Sequence, residues 1–133
     1  MVSPDGKWLA YVSNESGRFE VYVTPFANPG TAKWAISRTG GSAPRWSHQS
    51  DELFFLDART ALVAARLTTT PSFGVVSTRV LFDASDFIYP SVSRRNYDVA
   101  ADDQRFLMVQ RAPGGKRGQI VVVEHWTEEV RRR

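Results

Sequence analysis

His48 and His125 are the only histidines in the 133-residue chain, and a catalytic or metal centre would most readily be built around them. Such a site needs several ligands or an orienting acid converging on the ring. His48 falls in a turn and His125 at the end of an apolar run, so both are read as solvated surface residues. Cysteine is absent, which removes disulfides, thiolate metal sites and a cysteine nucleophile. Asp102 and Asp103 stand side by side, as paired carboxylates for acid–base work would, but they coincide with a turn position, and turn chemistry is the better account. Asp83 and Asp86 are read as loop residues. Serine is plentiful, yet no Gly-x-Ser-x-Gly elbow occurs. Gly40-Gly41 and Gly114-Gly115 lack the lysine and following helix of a phosphate loop. Trp8, Trp34, Trp46 and Trp126 could stack a ligand, but their positions suit packing, with Trp126 the most exposed of the four. The expected catalytic, cofactor and metal residues are therefore none.

The elements that would carry these residues are strands. Lys7 to Ser13 alternates, with Trp8, Ala10 and Val12 on one side and Leu9 and Tyr11 on the other. Asn14-Glu15-Ser16-Gly17 is turn chemistry, and Phe19 to Thr24 alternates again, completing a hairpin. Trp34 to Ser37 is a short third strand. Further strands are expected over Ala43 to Ser47, Glu52 to Asp57, Leu62 to Leu67, Arg79 to Phe82, Asn96 to Ala100, Arg105 to Gln110 and Gln119 to His125. The unbroken Leu53-Phe54-Phe55-Leu56 run predicts a strand buried on both faces. Trp126 to Arg133 carries a faint helical spacing and is short enough to be a tail.

The units repeat. "SPDGKWLAYV" (Ser3 to Val12) aligns with "SHQSDELFFL" (Ser47 to Leu56), placing Leu9 on Leu53, Tyr11 on Phe55 and Val12 on Leu56, forty-four residues on. It aligns with "AADDQRFLMV" (Ala100 to Val109), placing Asp5 on Asp102, Leu9 on Phe106 and Val12 on Val109, a further fifty-three residues on. A period of about 40–50 residues with about four short strands per unit marks propeller blades. The longer second spacing is taken up by a loop over Ser85 to Arg95. The core is expected to hold Leu9, Tyr11, Val21, Phe55, Leu56, Val63, Phe106, Met108 and Val121.

At Trp46-Ser47, at Pro4-Asp5-Gly6 and at the degenerate Asp102-Asp103 turn the chain resembles the TolB-like, WD-like propeller repeats, whose signature is a strand ending in Trp-Ser, then Pro-Asp-Gly, then an apolar strand. The order of units resembles the C-terminal blades of propellers attached to bacterial serine/threonine kinases or regulators. The resemblance implies an all-β fold of three four-stranded-type blades, a half-propeller: blade one about 1–39, blade two about 43–83, blade three about 96–133, in one domain. Blade one is expected to lack its innermost strand and blade three its outermost. Three blades cannot close a ring, since closed propellers have about 4–8. Two chains give six, the number a TolB-like ring implies, so a C2 homodimer is expected, blade three of each chain on blade one of the other, with Met1 to Ser3 or Trp126 to Arg133 supplying a strand across the seam.

Composition narrows the function without naming it. Hydrophobic residues at 42% and charged residues at 23% suit one ordinary globular domain. The net charge of +3 comes largely from Arg131-Arg132-Arg133, without the basic, aromatic-interleaved face a nucleic-acid partner wants. No stretch approaches the roughly 18 apolar residues of a membrane span, and no signal peptide is visible, leaving cytoplasm and periplasm both open. The chain opens almost directly on a turn, so it is expected to be a piece of something longer. The expected role is a non-catalytic protein-interaction or sensing module, not an enzyme, partnering itself and a further protein or peptide. Asn14 to Arg18 and Ser85 to Arg95 are the loops expected to meet such a partner. The alternative that the resemblance implies is an accessory sensor or gating propeller of a kinase or a prolyl-oligopeptidase-like enzyme.

Overall fold

Three antiparallel sheets stand side by side in the computed structural model, which describes residues 1–87, 97–110 and 119–123. The first holds β1 (Trp8–Ser13), β2 (Glu20–Pro25) and β3 (Trp34–Ala35); the second β4 (Gly41–Trp46), β5 (Glu52–Asp57), β6 (Ala61–Thr68) and β7 (Gly74–Asp83); the third β8 (Tyr97–Val99), β9 (Phe106–Gln110) and β10 (Gln119–Val123). Each is a meander in which sequence neighbours pair, as tight turns between alternating runs dictate.

The turn that opens each unit explains why the motif can degrade and the fold persist. Gly6, Ser50 and Asp103 occupy equivalent repeat positions, and all three take left-handed backbone angles, with φ of 73°, 62° and 56°. In each turn that residue's N–H donates to the carbonyl three back, at Ser3, Ser47 and Ala100. The Ser3 and Ser47 hydroxyls accept from the strand-opening N–H of Trp8 and Glu52, both at 3.0 Å. Ser3 Oγ donates to Asp5 at 2.5 Å, and Ser47 Oγ to Asp51 at 3.0 Å. The carboxylate has moved by two positions and the geometry is retained.

Two cores lie between the sheets. Ala10, Val21 and Val23 of the first sheet, with Ile36 just past its end, pack on Leu53, Phe55, Val63, Ala65 and Leu67 of the second. Phe54, Leu56, Leu62, Ala64 and Leu81 on the opposite face of the second pack on Tyr97, Val99, Phe106 and Met108 of the third. The apolar run Leu53–Leu56 is thus buried on both sides, alternate residues serving different cores.

Several expectations are corrected. Met1–Ser3 lies along the free edge of β1, with Ser3 N–H donating to Trp8 O and Ala10 N–H to Met1 O, both 2.8 Å. The Val2↔Leu9 bridge repeats the register of Trp46↔Leu53 and Val99↔Phe106. The innermost strand of blade one is therefore partly present, Met1–Ser3 pairing with β1 of its own chain. The strand expected over Trp34 to Ser37 ends at Ala35, because Ser37 turns in to meet Glu20. The strand expected over Arg79 to Phe82 runs the full Gly74–Asp83, its outer residues exposed and so without a burial pattern. Leu9 and Tyr11 are half-buried rather than core. The Val121 side chain, His125 and Trp126 to Arg133 lie outside the described residues, as do Gly114-Gly115 and most of Ser85 to Arg95.

Candidate interaction surface

Among the described residues, two of the candidates that the sequence offers come together. His48 and Asp103, from the turns opening blades two and three, meet with Nδ1 2.7 Å from Oδ1, and the His48 N–H donates to the same carboxylate. Among the described residues no nucleophile is aligned with them: neighbouring Ser47 is buried and its hydroxyl is engaged by Asp51 and the Glu52 N–H. Asp102 faces away from Asp103, accepting from the Gln104 N–H and Arg105 Nε, both at 3.0 Å. The Gln104 N–H, aided by the charge and hydrogen bond of Arg105, holds its carboxyl below the usual range against the opposing effect of desolvation, which unfits it as a general acid. Asp83 caps the Ser85 N–H at 2.9 Å, and Asp86 is exposed. Among the described residues no three His, Cys, Asp or Glu side chains gather as a metal site requires.

The three described tryptophans are packing residues. Trp46 is buried between the first two sheets and donates from Nε1 to Met1 O at 3.1 Å. Trp8 and Trp34 meet edge to face at 5.8 Å and both lean on Phe73 at 4.6 Å. Gly40-Gly41 is structural too. The turn Asn14 to Gly17 is exposed and closed by Gly17 N–H to Asn14 O at 2.9 Å. A cleft of about 480 Å³ opens between blades one and two beyond the short β3, floored by Ile36, Phe55 and Val63.

Sequence reasoning passed over Arg45. Its buried guanidinium joins the innermost strands of blades two and three, donating from Nε to Tyr97 O at 3.3 Å and from Nη1 to Pro44 O at 2.9 Å, over the Tyr97 ring at 5.5 Å. The only hint was its place in a strand otherwise written for burial. Tyr97 is buried beside it and donates to Ala43 O at 2.8 Å. Burial, only partly opposed by Arg45, pushes the Tyr97 phenol far above its usual value of 10.0. From about pH 10 upward the unfolded chain loses this proton and the folded chain keeps it, so stability falls with rising pH by up to about 1.4 kcal/mol per unit from this one group. Tyr97→Phe removes that dependence. In urea unfolding between pH 8 and 11, the stability difference between wild type and Tyr97→Phe should therefore stay flat to near pH 10 and shift toward the variant above it. Parallel curves would contradict this account of the joint.

The two outer flanks form the candidate site. Strand residues of one repeat class point back, toward the preceding blade: Leu53 and Phe55 do so from blade two and are 0% and 4% exposed, and Phe106 and Met108 from blade three are both 0% exposed. Leu9 and Tyr11 are the same positions in blade one, face no blade, and are half-buried. The other class points forward. Ala10 and Val12 lean on blade two, and Phe54 and Leu56 on blade three. Their equivalents Leu107 and Val109 face no blade and are 46% and 44% exposed, with Val122, the cross-strand partner of Leu107, at 52%. Behind Tyr11, Tyr22 is buried, stacked on it at 5.7 Å with Lys33 Nζ 5.2 Å from its ring. Burial pushes the Tyr11 phenol up, and Glu15 adds to this while Lys33 opposes it.

Known proteins bear on the fold. A TolB-like propeller is what the chain's architecture is. It overlays a structure described as a putative TolB from Agrobacterium tumefaciens with a TM-score of 0.65 at 12% identity, over 94% of this chain and 44% of that one. It overlays the oligogalacturonate lyase of Vibrio parahaemolyticus with a TM-score of 0.65 at 11% identity, over 92% of this chain and 35% of that one. In sequence, it is 37% identical over 57 residues to dipeptidyl aminopeptidase BIII of Pseudoxanthomonas mexicana, which is 41% of this chain and 8% of that protein. The chain thus spans less than half of each. No family model matches it.

Proposed function

We propose that the chain is a non-catalytic protein-interaction module, a TolB-like set of three blades whose open flanks bind another blade-like protein surface. The observation that carries this reading is the contrast within one repeat class: positions sealed at every internal joint stand open at both ends of the stack. Aliphatic residues clustered on a sheet face are costly to leave in water, and large exposed apolar patches mark binding surfaces. Tyrosine, apolar in body and polar at its tip, is a usual interface residue.

The natural absence of cysteine makes the test clean. Leu107→Cys and Leu9→Cys, each alone, should react with a thiol reagent more slowly at high protein concentration and faster on dilution. Val76→Cys, on the outermost strand and 61% exposed, should react at one fast rate throughout. Flank cysteines that match Val76→Cys at every concentration would overturn the reading for the isolated chain.

A second reading has its own support in the 57-residue stretch shared with the aminopeptidase. Under it the blades are the accessory propeller of a longer enzyme, and further blades of the same polypeptide cover the flanks. Protection would then be absent from this chain alone and would appear, independent of dilution, once the natural upstream sequence is joined to it.

A further inference from the structure

We propose that the surface covering each flank is a second copy of this chain, so that two copies close head to tail into a six-bladed ring with C2 symmetry. This rests on the reading above that the flanks are binding surfaces, and goes beyond it by naming the occupant and the residues that meet. What fits a backward face is the forward face of the same repeat, as both internal joints demonstrate. Among the described residues one face of each kind is left uncovered. Leu107, Val109 and Val122 of one copy would sit on Leu9 and Tyr11 of the other, with Tyr22 backing Tyr11, in the register that sets Ala10 and Val12 on blade two. Two copies satisfy all four free faces and leave none. Three copies give nine blades, beyond the roughly 4–8 of closed propellers, and an open chain of copies would leave two faces in water. A head-to-tail contact either closes or makes a filament, and three blades per copy is half of a six-blade turn.

Geometry of this kind makes a prediction that a face-to-face dimer does not. Leu107→Asp places an unpaired carboxylate in the forward face, and Tyr11→Asp places one in the backward face. Both positions are partly exposed in the single chain, so each variant should keep its fold by circular dichroism and elute as a monomer in size exclusion with light scattering. Mixed together they should recover a dimer, because the sound forward face of Tyr11→Asp meets the sound backward face of Leu107→Asp while both aspartates share the other seam. Val109→Asp replaces Leu107→Asp if the latter does not fold. Wild type that runs as a single chain would overturn the copy as occupant, while dilution-independent protection of the flank cysteines in a longer polypeptide would still uphold the flanks as binding surfaces. A wild-type dimer that only Leu107→Asp disrupts, or variants that stay monomeric on mixing, would overturn the head-to-tail arrangement.

Discussion

Phe55→Ala lowers the unfolding free energy by about 3–5 kcal/mol, the range for emptying a fully buried aromatic site. Phe55 is 4% exposed and fills the joint between blades one and two with Leu53, Val63 and Leu67. Phe54, its neighbour on β5, is 0% exposed on the opposite face and meets Phe106 edge to face at 5.0 Å in the joint between blades two and three. Phe54→Ala should cost a similar amount. In a stack held by nearest-neighbour interfaces each variant unpins a different outer blade. Because the two rings serve separate cores, their costs should add to within about 0.5 kcal/mol, apart from any backbone shift they share. Urea unfolding of the two single variants and the double variant checks this. A cost below about 1 kcal/mol for either would mean that the strand's two-faced burial has been misassigned.

The second large effect is expected at Gly41. A Cβ there would stand 2.3 Å from Ser37 Oγ, 2.6 Å from Ser37 Cβ and 3.1 Å from Val21 Cγ2. Ser37 cannot swing aside cheaply. Its hydroxyl donates to Glu20 Oε2 and accepts from the Val21 N–H at 2.8 Å. Glu20 is 3% exposed, with Oε1 held by Arg18 Nε at 2.8 Å and the Gly40 N–H at 3.0 Å. Gly41→Ala therefore overpacks a joint and disturbs the partners of a buried carboxylate, for about 2–4 kcal/mol. Ser37→Ala in the same protein removes the 2.3 Å clash but strips Glu20 of a donor, so it should restore little. Gly41→Ala within about 0.5 kcal/mol of wild type by urea unfolding would show that the loop from Ile36 to Gly41 has another low-energy path.

The blade architecture was legible because strand alternation and turn chemistry are local and recur. Leu9, Leu53 and Phe106 could be aligned by eye, and Gly6, Ser50 and Asp103 share one backbone angle under three side chains. The depth of burial was less legible. Leu9 and Tyr11 carry the same repeat signature as Leu53 and Phe55, and only the count of neighbouring blades separates them. A residue's place in a repeat says which way it points, not whether anything stands there. Contacts between distant polar residues were not legible at all. Glu20 with Ser37, Arg45 with the Tyr97 carbonyl, and His48 with Asp103 join positions that no local pattern couples. The sequence offers Met1–Ser3 only as a strand for the seam, and its bridge continues the innermost position of the repeat within its own chain.

The most direct test of the central claim is the mass of the unmodified chain in solution, by sedimentation equilibrium over a concentration series spanning the micromolar range. A closed two-copy ring predicts about 30 kDa, twice the 14.9 kDa of one chain, with dissociation only toward the dilute end and no larger species at the concentrated end. A mass of 14.9 kDa at every concentration, or one that climbs without limit, would contradict it.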